Sequence, residues 1–215
     1  MASAAELLTS LETEVSALET KFLSPWIPAL PEHTPVDFQH DVKAYCVLAH
    51  AAFEEFVESI STLAAKATMS AWLAKKPYLG TQALLLFYNF KLNVVEDEAQ
   101  PQERHFDQIR EGLKNCIDKH RKALDKNHGF SLKYLRSVLT PVGIDIPDEL
   151  NWLNSLSELT EARGSYAHKI AAEANFGRSR KAQRPMTPEK AKDAVQGCLE
   201  LCRELKARHE KSLPA

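Results

Sequence analysis

The stretch over residues 36–76 constrains the fold most, because it contains neither glycine nor proline. Apolar side chains recur in it at helical spacing and form one broad face: Val42, Tyr45, Cys46, Ala49, Ala52, Phe53, Phe56, Val57 and Ile60. Glu54, Glu55 and Glu58 flank this face. The pattern predicts one long amphipathic helix over about 37–76, which can bury its apolar face only against other elements.

Most of the remaining chain is also predicted to be helical. A first helix over about 3–22 precedes a connector with four prolines, which excludes a regular helix there. A segment over about 81–90 is apolar nearly all round and is therefore expected to be centrally buried. Further helices are predicted over about 104–126, from Ser131 to before Pro141, from about Asp148, and from Pro188.

No strand pattern or repeat is present, and only seven of the 215 residues are glycine. We therefore predict an all-α helical bundle with an N-terminal helical arm. Residues 1–35 would form the arm with its proline-rich connector, and residues 36–215 would form the helical domain.

The first helix leaves two interpretations open. Its apolar positions follow a 3-4 spacing over too few heptads for a free coiled coil: Leu8, Leu11, Val15, Leu18 and Phe22. The helix either docks on its own domain or helps two copies dimerise. Trp26 and Ile27 are expected to pack the connector onto the body.

Charge and cysteine content limit the class of protein. A formal net charge of −2 excludes a globally basic nucleic-acid binder, so such a role requires a local patch. The four cysteines are too few for a disulfide scaffold and lack partners for a zinc site, which favours buried thiols in a reducing cytoplasm. No signal-like segment and no apolar run of ~20 residues is present. We therefore expect a cytoplasmic protein with no metal, cofactor or membrane span.

The clearest functional candidate is Arg163, followed five residues later by His168. Both lie on the helix predicted from Asp148, whose apolar positions form one stripe: Trp152, Leu153, Leu156, Leu159, Tyr166, Ala167 and Ile170. Arg163 falls near the middle of this stripe. Its charge must meet a partner or line a cleft, since an unpaired buried charge costs on the order of 3–5 kcal/mol.

An arginine and a histidine suffice in principle for metal-free RNA cleavage. The RNA supplies its own nucleophile, the 2′-hydroxyl, while histidine transfers protons near neutral pH and arginine binds two phosphate oxygens. On a regular helix the two side chains are ~140° apart with ~7.5 Å of rise, so they converge on one phosphate only from the rim of a groove. This geometry, with the need for a second proton-transfer group, favours a composite site between two copies.

Arg163-x4-His168 on a late helix resembles the Arg-x4–6-His signature of the HEPN superfamily, compact all-α proteins that are often metal-independent endoribonucleases. Two further stretches resemble its RiboL-PSP-type subgroup: Leu48 to Phe56 in the long helix, and Asn127-His128-Gly129-Phe130 followed by Leu135, Leu139, Gly143 and Ile144. Together they cover roughly residues 40–205 in the order that the family requires.

The resemblance implies a homodimer with both motifs in one cleft that cleaves RNA by 2′-hydroxyl attack. It implies a role in toxin–antitoxin, abortive-infection or other defence systems, with a neutralising antitoxin or defence-system partner. By position Arg163 and His168 correspond to the catalytic pair, and Glu55 to an acidic residue that orients the motif. The alternative for Glu55 is an ordinary solvated glutamate.

One residue departs from the family pattern. Many active members carry a polar residue directly after the arginine, where this chain has Gly164. Either close approach across a dimer requires glycine, or a catalytic contact is lost, and Ser165 would partly replace it. Ile170 stands where some HEPN toxins carry a modifiable tyrosine, so that modification is not expected.

Basic residues cluster after the motif and are predicted to contact RNA phosphates: Lys169, Arg178, Arg180, Lys181 and Arg184. A solvated loop is the alternative. Two other functions stay open: a catalytically silent HEPN-type module that binds RNA or protein, and an unrelated bundle in which Arg163 forms a structural ion pair. His50 lies within the long helix, and His120 and His128 are predicted to be surface or capping residues.

Overall fold

The computed structural model describes residues 2–28, 30, 32–92, 103–126, 128–172 and 186–213. Within these ranges the chain forms helices and no strand, which confirms the all-α prediction. The helices are α1 (Ala4–Phe22), α2 (Pro35–Leu73), α3 (Leu79–Phe87), α4 (Glu103–Leu124), α5 (Leu132–Leu139), α6 (Leu150–Ala172) and α7 (Pro188–Ser212). Short 3-10 turns occupy Ser24–Trp26 and Thr140–Val142.

Helix α2 is the centre of the bundle and contacts each of the other six helices. It begins where the sequence favours a start, because Thr34 and Asp37 form a capping box and Pro35 takes the first helical position. The predicted apolar face is buried almost completely, with Tyr45 and Phe53 fully enclosed. The helix therefore fixes the relative positions of the elements on both of its sides.

Helix α1 docks on its own chain against α2 and α7. Leu11, Val15 and Leu18 are buried at this contact. Two ion pairs add to it at the rim, Glu12 with Arg203 at 2.7 Å and Glu19 with Lys192 at 2.7 Å. The apolar face of α1 is thus used inside the chain, as the docked interpretation expects.

The connector after α1 also packs on the body, as predicted. Trp26 Nε1 donates a hydrogen bond to Asp41 Oδ2 at 2.8 Å, and the indole ring meets Phe38 edge-on. This places the start of α2 against the end of α1.

The apolar helix predicted over about 81–90 is not centrally buried, so that expectation is wrong. Helix α3 lies at the periphery, where Gly80, Thr81 and Leu84 are buried but Leu79, Leu86 and Phe87 are exposed. A nine-residue helix that packs on α2, α4 and the second 3-10 turn covers one side only. Its uniform apolar composition does not reveal which side that is.

His120 is also not a surface residue; it is buried between four elements. Ser61 Oγ donates to Val138 O at 2.7 Å and therefore accepts the proton of His120 Nε2 at 2.8 Å. His120 Nδ1 then accepts from the Tyr88 hydroxyl at 3.1 Å. The neutral imidazole thus satisfies all its polar atoms and connects α2, the end of α3, α4 and α5.

The four cysteines are free and buried, as expected. Burial raises the pKa of the Cys46 thiol to about 12. Among the described helices, none is both long enough and apolar enough to cross a lipid bilayer.

Candidate active site

Arg163 lies on α6 at the point where the buried stripe of that helix reaches solvent. On the helical wheel it projects ~20° from the direction of Leu156 and ~40° from that of Leu159, and both leucines are buried. Arg163 itself is exposed. Arg163 therefore lies on the side on which α6 packs, beyond the edge of the core.

No carboxylate in the described part of the chain lies within ion-pair distance of Arg163. The alternative in which Arg163 forms a structural salt bridge with Glu54, Glu55 or another acid is thus not seen among those residues. An exposed guanidinium without an acidic partner keeps its donors available for a phosphate.

The loop between α4 and α5 connects this part of α6 to α2. The Phe130 N–H donates to His50 Nε2 at 3.2 Å, and the Phe130 carbonyl oxygen lies 2.7 Å from Thr160 Oγ1. The Phe130 ring stacks on Phe53 with 5.0 Å between centroids. Because Thr160 is one turn before Arg163, this bridge fixes the height of Arg163 relative to α2.

His50 is buried and serves this bridge in its neutral form. Burial, with a smaller contribution from the nearby Arg163 guanidinium, lowers the pKa of His50 to about 4. Since Nε2 accepts from Phe130, the proton of the neutral ring is on Nδ1, which lies 3.8 Å from Glu54 Oε2. His50 therefore has no free lone pair for proton abstraction at neutral pH and acts as a structural link.

Glu54, Glu58 and His128 form a cluster beside His50. His128 Nδ1 lies 3.5 Å from Glu54 Oε1 and 3.6 Å from Glu58 Oε1. The Tyr134 hydroxyl donates to Glu58 Oε1 at 2.7 Å, and burial together with this carboxylate raises the pKa of Tyr134. The three ligand-type atoms lie within 4.8 Å of one another, a spacing that could also hold a cation.

Of the site residues predicted from the sequence, only Arg163 and Glu55 have described side chains, and no described contact joins them. Glu55 is exposed on α2, about 100° around the helix from Glu54, and it is Glu54 that faces His50. Ser165, His168 and Lys169 lie on the helical backbone of α6, at positions whose side chains are outside the described structure. Arg178, Arg180, Lys181 and Arg184 lie outside the described residues.

Gly164 faces open space in the described part of its own chain. A Cβ added at this position meets no atom within 4 Å. Nothing in the described fold of one chain therefore requires glycine there.

Sequence reasoning missed the cluster and the Thr160 contact. A signal was present, because His50, Glu54 and Glu58 repeat at i, i+4 and i+8 on one side of a helix. The approach of His128 to that side depends on the path of the α4–α5 loop, which the helical pattern does not give.

Comparison with known proteins gives one match. A family model described as RiboL-PSP-HEPN matches residues 26–208, which is most of the chain and excludes α1. No curated protein and no solved structure matches the chain.

Proposed function

The chain belongs to the RiboL-PSP-HEPN family, and we propose that it is a metal-independent endoribonuclease whose catalytic pair is Arg163 and His168. The family supports an RNA-related module in general terms, and the specific activity is argued from the residues. RNA cleavage of this kind uses the 2′-hydroxyl of the substrate as nucleophile, so the protein must supply proton transfer and positive charge.

The observation that carries the proposal is the state of Arg163. Its guanidinium is exposed, free of carboxylate partners among the described residues, and held on the core-facing side of α6 by the Phe130 bridge. A planar guanidinium in that state binds two oxygens of a phosphate and stabilises the charge that develops on them in the transition state. His168 removes or donates a proton, and the products are a 2′,3′-cyclic phosphate and a 5′-hydroxyl.

Two copies of the chain would assemble the groove. Arg163 and His168 diverge by ~140° on a regular helix, so the proposed site combines Arg163 of one copy with His168 of the partner subunit. Lys169, Arg178, Arg180, Lys181 and Arg184 would contact the flanking phosphates. In the toxin or defence role that the family resemblance implies, a neutralising partner protein would cover this groove.

The test is cleavage of a single-stranded RNA by the wild-type protein and by Arg163→Ala and His168→Ala variants, with chelator present and with analysis of product ends. We expect wild-type cleavage to persist in chelator and to leave cyclic-phosphate ends. Each variant should lose about 10²-fold or more, the range for a charge-stabilising or proton-transfer residue. Arg121→Ala and His40→Ala, at exposed positions of α4 and α2, are the matched controls.

Gly164 supports one other function, a module that binds RNA or protein without cutting it. Because a Cβ at this position meets no atom of the described structure within 4 Å, Gly164→Asn can restore the polar residue that many active relatives carry. Cleavage that appears only in Gly164→Asn, with RNA binding already present in the wild type, would support the silent module. Cleavage by the wild type excludes it.

A further inference from the structure

The proposed reaction needs two proton-transfer groups. One takes the proton of the 2′-hydroxyl, and the other gives a proton to the 5′-oxygen as the chain breaks. His168 supplies one of them. Two other histidines are described in the segments that Phe130 connects to α6, His50 on α2 and His128 in the α4–α5 loop. His50 is excluded because Phe130 occupies its Nε2. His128 is the remaining one.

His128 is oriented in the way that proton-transfer histidines usually are. Its Nδ1 faces a carboxylate oxygen of Glu54 at 3.5 Å and one of Glu58 at 3.6 Å. Nε2 lies on the other side of the ring and makes no hydrogen bond with a described residue, while 66% of the side chain is exposed. Carboxylates behind Nδ1 fix the tautomer and stabilise the imidazolium that forms when Nε2 takes a proton.

Contacts on both sides of His128 hold this arrangement and connect it to α6. Glu58 is fixed by the Tyr134 hydroxyl at 2.7 Å, and Glu54 also faces the buried His50. His128 is two residues before Phe130, whose carbonyl oxygen meets Thr160, one turn before Arg163 on α6. The short α4–α5 loop therefore links His128 to the turn of α6 that precedes Arg163.

We propose that His128, oriented by Glu54 and Glu58, is the second proton-transfer residue of the RNA-cleaving site. One histidine takes the 2′-hydroxyl proton as the O2′–P bond forms, and the other donates a proton to O5′ as the P–O5′ bond breaks. No oxidant, metal or further reactant is needed. The inference rests on the proposed function, and its test separates the two.

The test uses the full-length protein with His128→Gly, and with His40→Gly as the matched control on the exposed start of α2. Cleavage of a short RNA is followed from pH 5 to 9 in chelator, with and without added imidazole. Binding to the same RNA carrying 2′-deoxy residues reports whether the variant still folds and binds.

We expect His128→Gly to bind the deoxy-substituted RNA like the wild type and to cleave about 10²-fold more slowly or worse. It should lose one limb of the pH–rate profile, and imidazole should restore part of the rate. His40→Gly should cleave like the wild type and not respond to imidazole.

Four results would overturn the inference. His128→Gly could cleave within threefold of the wild type, or it could lose activity with an unchanged pH profile and no imidazole rescue. Wild-type cleavage that stops in chelator and returns with Zn²⁺ would assign Glu54, Glu58 and His128 to a cation instead. Absence of RNA cleavage by both the wild type and His40→Gly would overturn the proposed function together with this inference, whereas the first two results leave that function standing.

Discussion

Glu54 and Glu55 are adjacent on α2 and chemically alike, yet only Glu54 contacts the candidate site. Its carboxylate lies 3.5 Å from His128 Nδ1 and 3.8 Å from His50 Nδ1, whereas Glu55 is exposed. We expect Glu54→Gln to reduce kcat for RNA cleavage by about tenfold or more, because the amide no longer stabilises an imidazolium. Steady-state kinetics of Glu54→Gln and Glu55→Gln, with Glu14→Gln on α1 as control, check this. An equal loss in Glu55→Gln would return the orienting role to the residue that the family resemblance indicates.

Gly164 gives a second prediction at this scale. In a helix interior glycine costs roughly 1 kcal/mol relative to alanine, and a Cβ here meets nothing within 4 Å. Gly164→Ala should therefore raise the free energy of unfolding by up to about 1 kcal/mol in urea titrations at low protein concentration. A gain at low concentration that turns into weaker dimerisation at high concentration would place Gly164 at a close contact between copies. A loss at low concentration would contradict the prediction.

At the scale of the elements, the buried histidines make packing depend on pH. Burial lowers the pKa of His120 to about 4 and, with Arg163, that of His50 to about 4. An unfolded histidine titrates near 6.5, so between these values the unfolded chain binds more protons than the folded one. The stabilising contribution of each neutral histidine is then fully present above about pH 6.5. It is lost as the pH falls towards 4, which lowers the free energy of unfolding by about 3 kcal/mol per histidine.

The measurement is the free energy of unfolding from pH 4 to 8. His120→Asn should reduce the slope of the unfolding free energy against pH by the equivalent of about one bound proton, whatever its effect on absolute stability. The reason is that the group that connects α2, α3, α4 and α5 no longer titrates. His40→Asn, at an exposed position, should leave the slope unchanged. A His120→Asn curve as steep as that of the wild type would show that His120 is protonated in the fold.

The positions of the helices could be predicted from local sequence signals, whereas the contacts between helices could not. The Thr34–Asp37 capping box and Pro35 mark the start of α2, and Pro188 marks that of α7, so both starts could be predicted. The exposure of Leu86 on α3 could not, because it depends on which neighbours a short helix meets. Likewise Arg163 was visible as a charge on an apolar stripe, but the approach of His128 to Glu54 is a contact between distant segments.

The other helices of the molecule pack around α2. This helix carries Glu54 and Glu58 on one side and also contacts α1 and α7. The family match begins at residue 26 and so leaves α1 outside. Because α1 is held by buried leucines and by the Glu12–Arg203 and Glu19–Lys192 pairs, it closes the core of its own chain. In the proposed dimer, the α4–α5 loop and α6 would form the face between the two copies.

The proposed dimer predicts complementation between two inactive variants. If Arg163 and His128 act from one chain and His168 from the partner subunit, then His128→Gly and His168→Ala are each inactive as homodimers. A mixed dimer has one site with both histidines intact. After dissociation and random re-pairing of an equal mixture, half of the dimers are mixed, so about a quarter of the wild-type cleavage rate should return. The rate is measured on the re-paired mixture against each variant alone.

A mixture as inactive as its components would place both histidines in one chain, because no mixed dimer then contains a chain with both. His128→Gly homodimers that are active by themselves would instead leave His128 out of the site.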